Sequence, residues 1–149
     1  MLRYFDTSAL VKRYDPREVG AITVLNMFLD IKSLPIFTSS LTSLEIASAF
    51  RTKQRQAVMT QADVKAGIAV FDAHCSNDYI LVQPKSSTYL EARHMILIHK
   101  LRAYDALHIA TAISIVQIAN LALSDLEFVT SDQDQAAAAT AEGLSVNFV

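Results

Sequence analysis

The chain has 149 residues, 52% of them hydrophobic and 19% charged, with a formal net charge of −2. That length is the usual size of one domain and is enough to bury a substantial core, so residues 1–149 are expected to form a single domain. The charge excludes a protein that coats nucleic acid by bulk electrostatics, although a local basic rim would still serve an enzyme.

A lone cysteine, Cys75, excludes an internal disulfide, and no Cys/His cluster has zinc spacing. The opening M-L-R-Y-F-D has none of the regions of a signal peptide. No uncharged apolar run reaches the roughly 20 residues needed to span a bilayer. The longest, 106–123, contains His108, Gln117 and Asn120 and reads as a buried helix. A cytoplasmic protein without a membrane segment is the expectation.

In chain order, Leu2–Phe5 reads as a first strand, and Ala9, Leu10 and Tyr14 open a helical stretch. Ile22, Leu25, Phe28 and Leu29 mark a second helix, and residues 36–38 a second strand. Leu44, Ala47 and Phe50 mark a third helix, with Arg51, Lys53 and Arg55 towards its C-terminal end, where cations suit the helix dipole. Val64, Ile68 and Phe71 continue the helical period. Tyr79–Val82 is a third strand, followed by helical patterns on Leu90, His94 and Leu97 and on Leu107, Ala110, Ile113 and Val116. A fourth strand spans 127–130, an alanine-rich helix runs from Gln133 to a stop at Gly143, and Ser145–Phe148 closes the chain as a strand. Strand–helix alternation implies βαβ units and a parallel sheet with helices on both faces, an α/β/α sandwich. Strand order does not follow from the pattern.

Four acids stand near predicted helix starts: Asp6, Glu45, Asp105 and Asp132. Singly, each has a structural explanation. Asp6, Asp105 and Asp132 suit N-caps, and Thr42-x-x-Glu45 suits a capping box. Yet Ser or Thr would cap as well, and Asp105 lies in an apolar neighbourhood where an unpaired carboxylate is costly. In a parallel sheet the carboxyl ends of the strands share one edge. Carboxylates converging there make an oxygen-rich site for Mg²⁺ or Mn²⁺, which removes their mutual repulsion. Thr7, Ser8, Thr130 and Ser131 fit helix capping and the orienting of those carboxylates equally well. Asp134 reads as a first-turn acid and His108 as a satisfied core histidine. Arg3, Lys12, Arg13, Arg51, Lys53, Arg55, Lys100 and Arg102 are scattered, and those near the acids are candidates for a basic rim.

Four segments carry a family resemblance over essentially the whole chain: Y-F-D-T-S-A-L around Asp6, the Glu45 helix, L-R-A-Y-D-A-L-H-I-A-T-A around Asp105, and F-V-T-S-D-Q-D around Asp132. They resemble the PIN-domain ribonucleases, specifically the toxin of VapBC-type toxin–antitoxin pairs. The resemblance implies a compact α/β/α sandwich with a short parallel sheet of four to five strands and a metal-dependent endoribonuclease active on RNA. It also implies Asp6, Glu45, Asp105 and Asp132 as metal-site acids, a homodimer, and a small antitoxin partner. Asp6 and Asp105 would be direct ligands, with Glu45 and Asp132 binding a second ion or holding the water. In-line attack by water would leave a 5′-phosphate and a 3′-hydroxyl.

Rival α/β readings fare less well. A receiver domain wants an acid pair after its first strand and a late lysine, but Phe5-Asp6-Thr7 offers one acid and Ser145–Val149 has no lysine. An Asp-x-Asp phosphatase fails because residue 8 is Ser, and glycine-rich nucleotide folds fail for want of glycine. A catalytically inactive PIN-like scaffold stays open as the alternative.

Overall fold

The computed structural model describes residues 1–29 and 35–149. Five parallel strands form one sheet in the order β3-β2-β1-β4-β5, with β1 Leu2–Phe5, β2 Ile36–Ser39, β3 Tyr79–Val82, β4 Leu126–Thr130 and β5 Ser145–Phe148. The helices are α1 Thr7–Leu10, α2 Ala21–Leu29, α3 Thr42–Arg55, α4 Gln61–Asn77, α5 Ser86–Ile98, α6 Ala103–Ala119 and α7 Gln133–Ala141. Short 3₁₀ turns follow α1 and precede β4. β1 is central: Tyr4 pairs in register with Phe37 on one side and Phe128 on the other. From β1 the chain order runs outward in both directions, which makes its carboxyl end a topological switch point, where open α/β sheets leave a crevice.

Strand residues alternate between two cores because successive Cβ atoms face opposite sides of a sheet. Tyr4 and Phe128 pack with Met95, Ile109 and Ala139, under α5, α6 and α7. Phe5 and Val129 pack with Leu10, Val24, Ile46, Phe50 and Phe71, under α1 to α4. The result is the expected three-layer α/β/α sandwich. Thr60 and Asp63 form a reciprocal capping box that starts α4. Gly143, at φ +92°, lies just beyond α7 in the left-handed conformation that ends helices. Among the described residues no helix is long and apolar enough to cross a membrane.

In two helices the residues that mark the helical period are not the ones buried deepest. α2 buries Ala21, Val24 and Met27 and leaves Ile22 and Leu29 exposed. α5 buries Thr88, Ala92 and Met95 and leaves Leu90 and Leu97 exposed. With apolar residues on more than one side of both helices, the 3.6-residue period does not single out the inner face; close packing favours the side with small or flexible residues. The buried helix predicted over 106–123 ends at Ala119, because Asn120 turns the chain with φ 52° and ψ 47°.

Candidate active site

Asp6 follows β1 directly and caps α1. Its Oδ1 accepts the Ala9 N–H at 2.8 Å, and the Ser8 hydroxyl lies 2.9 and 2.8 Å from the two carboxylate oxygens. The Thr130 hydroxyl, at the end of β4, is 2.9 Å from Asp6 Oδ2 and 2.8 Å from Gln135 Oε1, and its single hydrogen serves one at a time. Asp6 is only 3% exposed. Burial pushes its carboxyl above the ordinary range, against the opposing pull of His108, the Ala9 N–H and the two hydroxyls.

Asp132 caps α7, where its Oδ1 accepts the Gln135 N–H at 2.9 Å. The other two acids are not caps. Glu45 is the fourth residue of α3, whose N-cap is Leu41, so no capping box forms there. The Thr42 hydroxyl is 2.7 Å from that of Thr38, which itself donates to the Phe5 carbonyl. Asp105 is the third residue of α6, after an N-cap at Arg102. Both carboxylates are thereby free of backbone hydrogen bonds, and that of Glu45 reaches Thr7 and His108 on neighbouring elements.

Glu45 Oε1 accepts the Thr7 hydroxyl at 2.8 Å and His108 Nε2 at 2.6 Å. A carboxylate acceptor requires Nε2 to carry the hydrogen. The Tyr4 hydroxyl lies 2.8 Å from His108 Nδ1 and donates to it when the imidazole is neutral. Tyr4 is held far above the ordinary phenol range by burial and by the charges of Asp6 and Glu45, so it stays protonated. His108 is 2% exposed. Burial pushes Glu45 up, but the His108 hydrogen bond and charge, Thr7 and Arg102 outweigh it and hold the carboxyl below its ordinary value.

Arg102 spans the remaining acids. Its Nε is 2.8 Å from Asp105 Oδ2 and a terminal nitrogen is 3.3 Å from Asp132 Oδ2. Gln135, fully buried, donates to the Asp105 backbone carbonyl at 3.1 Å. One cleft of about 710 Å³ is lined by all four acids together with Thr7, Ser8, His108, Lys53 and Arg102.

The structure therefore brings Asp6, Glu45, Asp105 and Asp132 to one cleft. Of the four hydroxyl residues, Thr7, Ser8 and Thr130 touch a site carboxylate, while Ser131 gives its backbone N–H to the Ser8 oxygen at 2.8 Å. Among the described residues no three His, Cys, Asp or Glu side chains form a ready-made metal cluster. As they stand, the four carboxylates are engaged by hydroxyls, N–H groups, His108 and Arg102. Of the scattered basic residues, Lys53 and Arg102 line the cleft. Arg3 pairs with Glu127, Arg13 with Asp78, and Lys12 is buried against the carbonyls of Val19 and Val149. His108 is a satisfied core histidine, as expected, yet its partner is a site acid 63 positions away. Its contact with Glu45 and the roles of Tyr4 and Gln135 had no sequence signal, since only tertiary packing pairs them.

The model of the PIN domain matches residues 3–141. The chain belongs to the PIN-domain family. This PIN domain is similar in structure to VapC20 of Mycobacterium tuberculosis, a sarcin–ricin-loop-cleaving toxin, with a TM-score of 0.65 at 15% identity over 95% of both chains. It is also similar to VapBC2 from Rickettsia felis bound to a DNA fragment from its promoter, with a TM-score of 0.66 at 12% identity over 100% of this chain and 99% of the other. FitAcB from Neisseria gonorrhoeae gives 0.62 at 14% identity over 99% and 97%. Identities this low speak for the shared PIN fold. No curated protein sequence matches the chain.

Proposed function

We propose that this PIN domain, residues 1–149 acting as one nuclease domain, is a metal-dependent endoribonuclease that hydrolyses RNA phosphodiester bonds in the cytoplasm as the toxin of a type II toxin–antitoxin pair. The observation that carries the reading is the gathering of four carboxylates, from four separate segments, into one cleft at the carboxyl edge of the sheet. The donor set fits Mg²⁺ or Mn²⁺: it is all oxygen and rich in carboxylate. Asp6 in addition is a buried carboxylate whose close hydrogen-bond donors, Ser8, Ala9 N–H and Thr130, are all neutral, a costly arrangement that a cation relieves.

Asp6 and Asp105 would hold the cation, with Glu45 and Asp132 binding a second ion or positioning the attacking water. A bound divalent ion supplies Lewis acidity at the phosphate and lowers the pKa of water at neutral pH. The protein's own share is positioning. Ser8 and Thr130 fix Asp6, Thr7 and His108 fix Glu45, and Gln135 anchors the backbone at Asp105. Tyr4 and Phe5, the last two residues of the central strand, are fully buried and anchor the chain directly before Asp6.

The likeness to VapC20 supports RNA as substrate, and the likeness to VapBC2 and FitAcB supports a small antitoxin as partner. Exposed apolar residues such as Ile22 and Leu29 on α2, and Leu90 and Leu97 on α5, support contacts with an antitoxin and with a second copy in a homodimer. The ion pairs that Arg102 makes with Asp105 and Asp132 favour a second reading, an inactive PIN module that binds without cutting.

One experiment separates the two. The protein is incubated with RNA and Mg²⁺ or Mn²⁺, the product ends are mapped, and Mn²⁺ uptake is followed by calorimetry. Wild type is expected to cut, leaving 5′-phosphates, and Asp6→Asn to lose both cleavage and uptake. If the two proteins behave alike in both assays, the nuclease reading is wrong.

A further inference from the structure

Resting on the nuclease reading, we infer that Arg102 and Tyr104 form the contact element for single-stranded RNA at the cleft mouth, with Arg102 exchanging the site carboxylates for a substrate phosphate when the cation binds. Among the described residues lining the cleft, the Lys and Arg side chains are Lys53 and Arg102. They are not equivalent. Lys53 is 16% exposed and is held by Asp15 at 2.8 Å and by Glu18. Lys100, beside the mouth, is paired with Asp134. The Arg102 side chain is 80% exposed, and its two ionic partners, Asp105 and Asp132, are the very acids that a cation would engage.

Guanidinium and a divalent cation compete for the same negative charge, and at a separation of a few ångströms they repel each other even in a high dielectric. Cation binding therefore weakens the hold of Asp105 and Asp132 on Arg102. The guanidinium is left at the entrance with donors suited to a phosphate. Tyr104, two residues on, is 51% exposed and lines the same cleft and a smaller adjoining one with Glu45, Arg102 and Asp105. An exposed aromatic ring beside a phosphate-binding arginine is the pairing that proteins use for unpaired bases, which a duplex cannot present. The same residue thus shields the acids before the metal arrives and receives the substrate afterwards.

The two roles have opposite signatures in Arg102→Gln. Removing a competing positive charge is expected to tighten Mn²⁺ binding roughly three- to tenfold, measured by calorimetry without RNA. The same variant is expected to bind a fluorescein-labelled twelve-nucleotide RNA about tenfold more weakly, measured by anisotropy in Ca²⁺ with intact RNA checked on a gel. The slope of log affinity against log salt should become shallower by about 0.7, one phosphate contact to a single strand. Tyr104→Leu is expected to weaken RNA binding with Mn²⁺ affinity and salt slope unchanged. Thermal unfolding confirms that both variants are folded.

An Arg102→Gln protein with unchanged or weaker Mn²⁺ binding, or with the wild-type salt slope, overturns the exchange. A Tyr104→Leu protein with wild-type RNA affinity overturns the contact element. A wild type that takes up no Mn²⁺ at all overturns the nuclease reading and this inference together, whereas a failure confined to the variants leaves that reading standing.

Discussion

Replacing His108 by leucine removes the link between the buried core and the Glu45 carboxylate, and the loss can be worked out bond by bond. The His108 Nε2–Glu45 bond, at 2.6 Å to a charged acceptor, is worth roughly 1.5–3 kcal/mol. The Tyr4 hydroxyl, fully buried, loses its 2.8 Å acceptor, which costs about 1–3 kcal/mol. Apolar burial of the new leucine returns about 1–2 kcal/mol. The net destabilisation spans roughly 0.5–5 kcal/mol and centres near 3, or roughly 6–12 °C in melting temperature for a chain of this size.

The Glu45 carboxyl also changes. Burial continues to push it up while the His108 hydrogen bond and charge, which hold it down, are gone. In the wild type its folded value is depressed. Its contribution to folding is therefore complete above the ordinary glutamate range and is lost as pH falls through the depressed value. In His108→Leu that contribution disappears, and the acid limb of the rate profile moves to higher pH. His108→Gln keeps an N–H donor toward Glu45 and is expected to restore most of the profile. Urea unfolding at neutral pH and cleavage rates between pH 4 and 8 measure both effects. A leucine variant within about 1 kcal/mol of wild type, with an unmoved acid limb, refutes the coupling of His108 to the site.

Asp15, 1% exposed, bonds Arg17 and Lys53; burial opposes its ionisation, but those two residues bring it down to about 2. After discounting for the half-exposed Arg17, Asp15→Asn should cost roughly 1–2 kcal/mol at pH 7. Because the shift is downward, that gap is full above about pH 4 and closes as pH falls towards 2; urea curves at pH 7 and pH 3 with equal gaps would contradict it. Asp6 is shifted the other way, so its ionisation lowers stability as pH rises through its raised value. Metal-free Asp6→Asn should accordingly melt higher than wild type at pH 7 and not at pH 4, and a uniformly lower melting temperature would count against this. A Cβ on Gly67 would lie 2.8 Å from Cε2 of buried Phe50, where α4 crosses α3. Gly67→Val should therefore destabilise by roughly 2–3 kcal/mol, checked by thermal unfolding.

The positions of the elements were legible in the sequence because strands and helices leave local marks. Alternation and turn residues placed β1, β3 and β5 at their observed bounds and put β2 and β4 within one residue of theirs. The spacing that marks α2 and α5 did not tell their inner faces, because apolar residues occupy the outer sides as well and burial is settled by neighbouring helices. Asp6 and Asp132 could be read as caps because a cap bonds its own chain three residues on. The same reading failed for Glu45, whose partners Thr7 and His108 come from other elements, and for Asp105, which bonds Arg102 at the start of its own helix, while packing of α6 against α7 brings that arginine to Asp132 as well.

By itself the sequence determined an α/β sandwich, four acids in order, and the family motifs around them, all of which are short-range patterns. Tertiary structure decided the strand order with β1 at the centre. It decided that His108 fixes a site carboxylate rather than merely filling the core, and that Arg102, among eight scattered basic residues, stands between two acids. These are contacts between segments up to 124 residues apart, as in the pairing of Leu2 with Leu126. No local period encodes them; they arise only when apolar burial on both faces of the sheet forces its polar edge to close on itself.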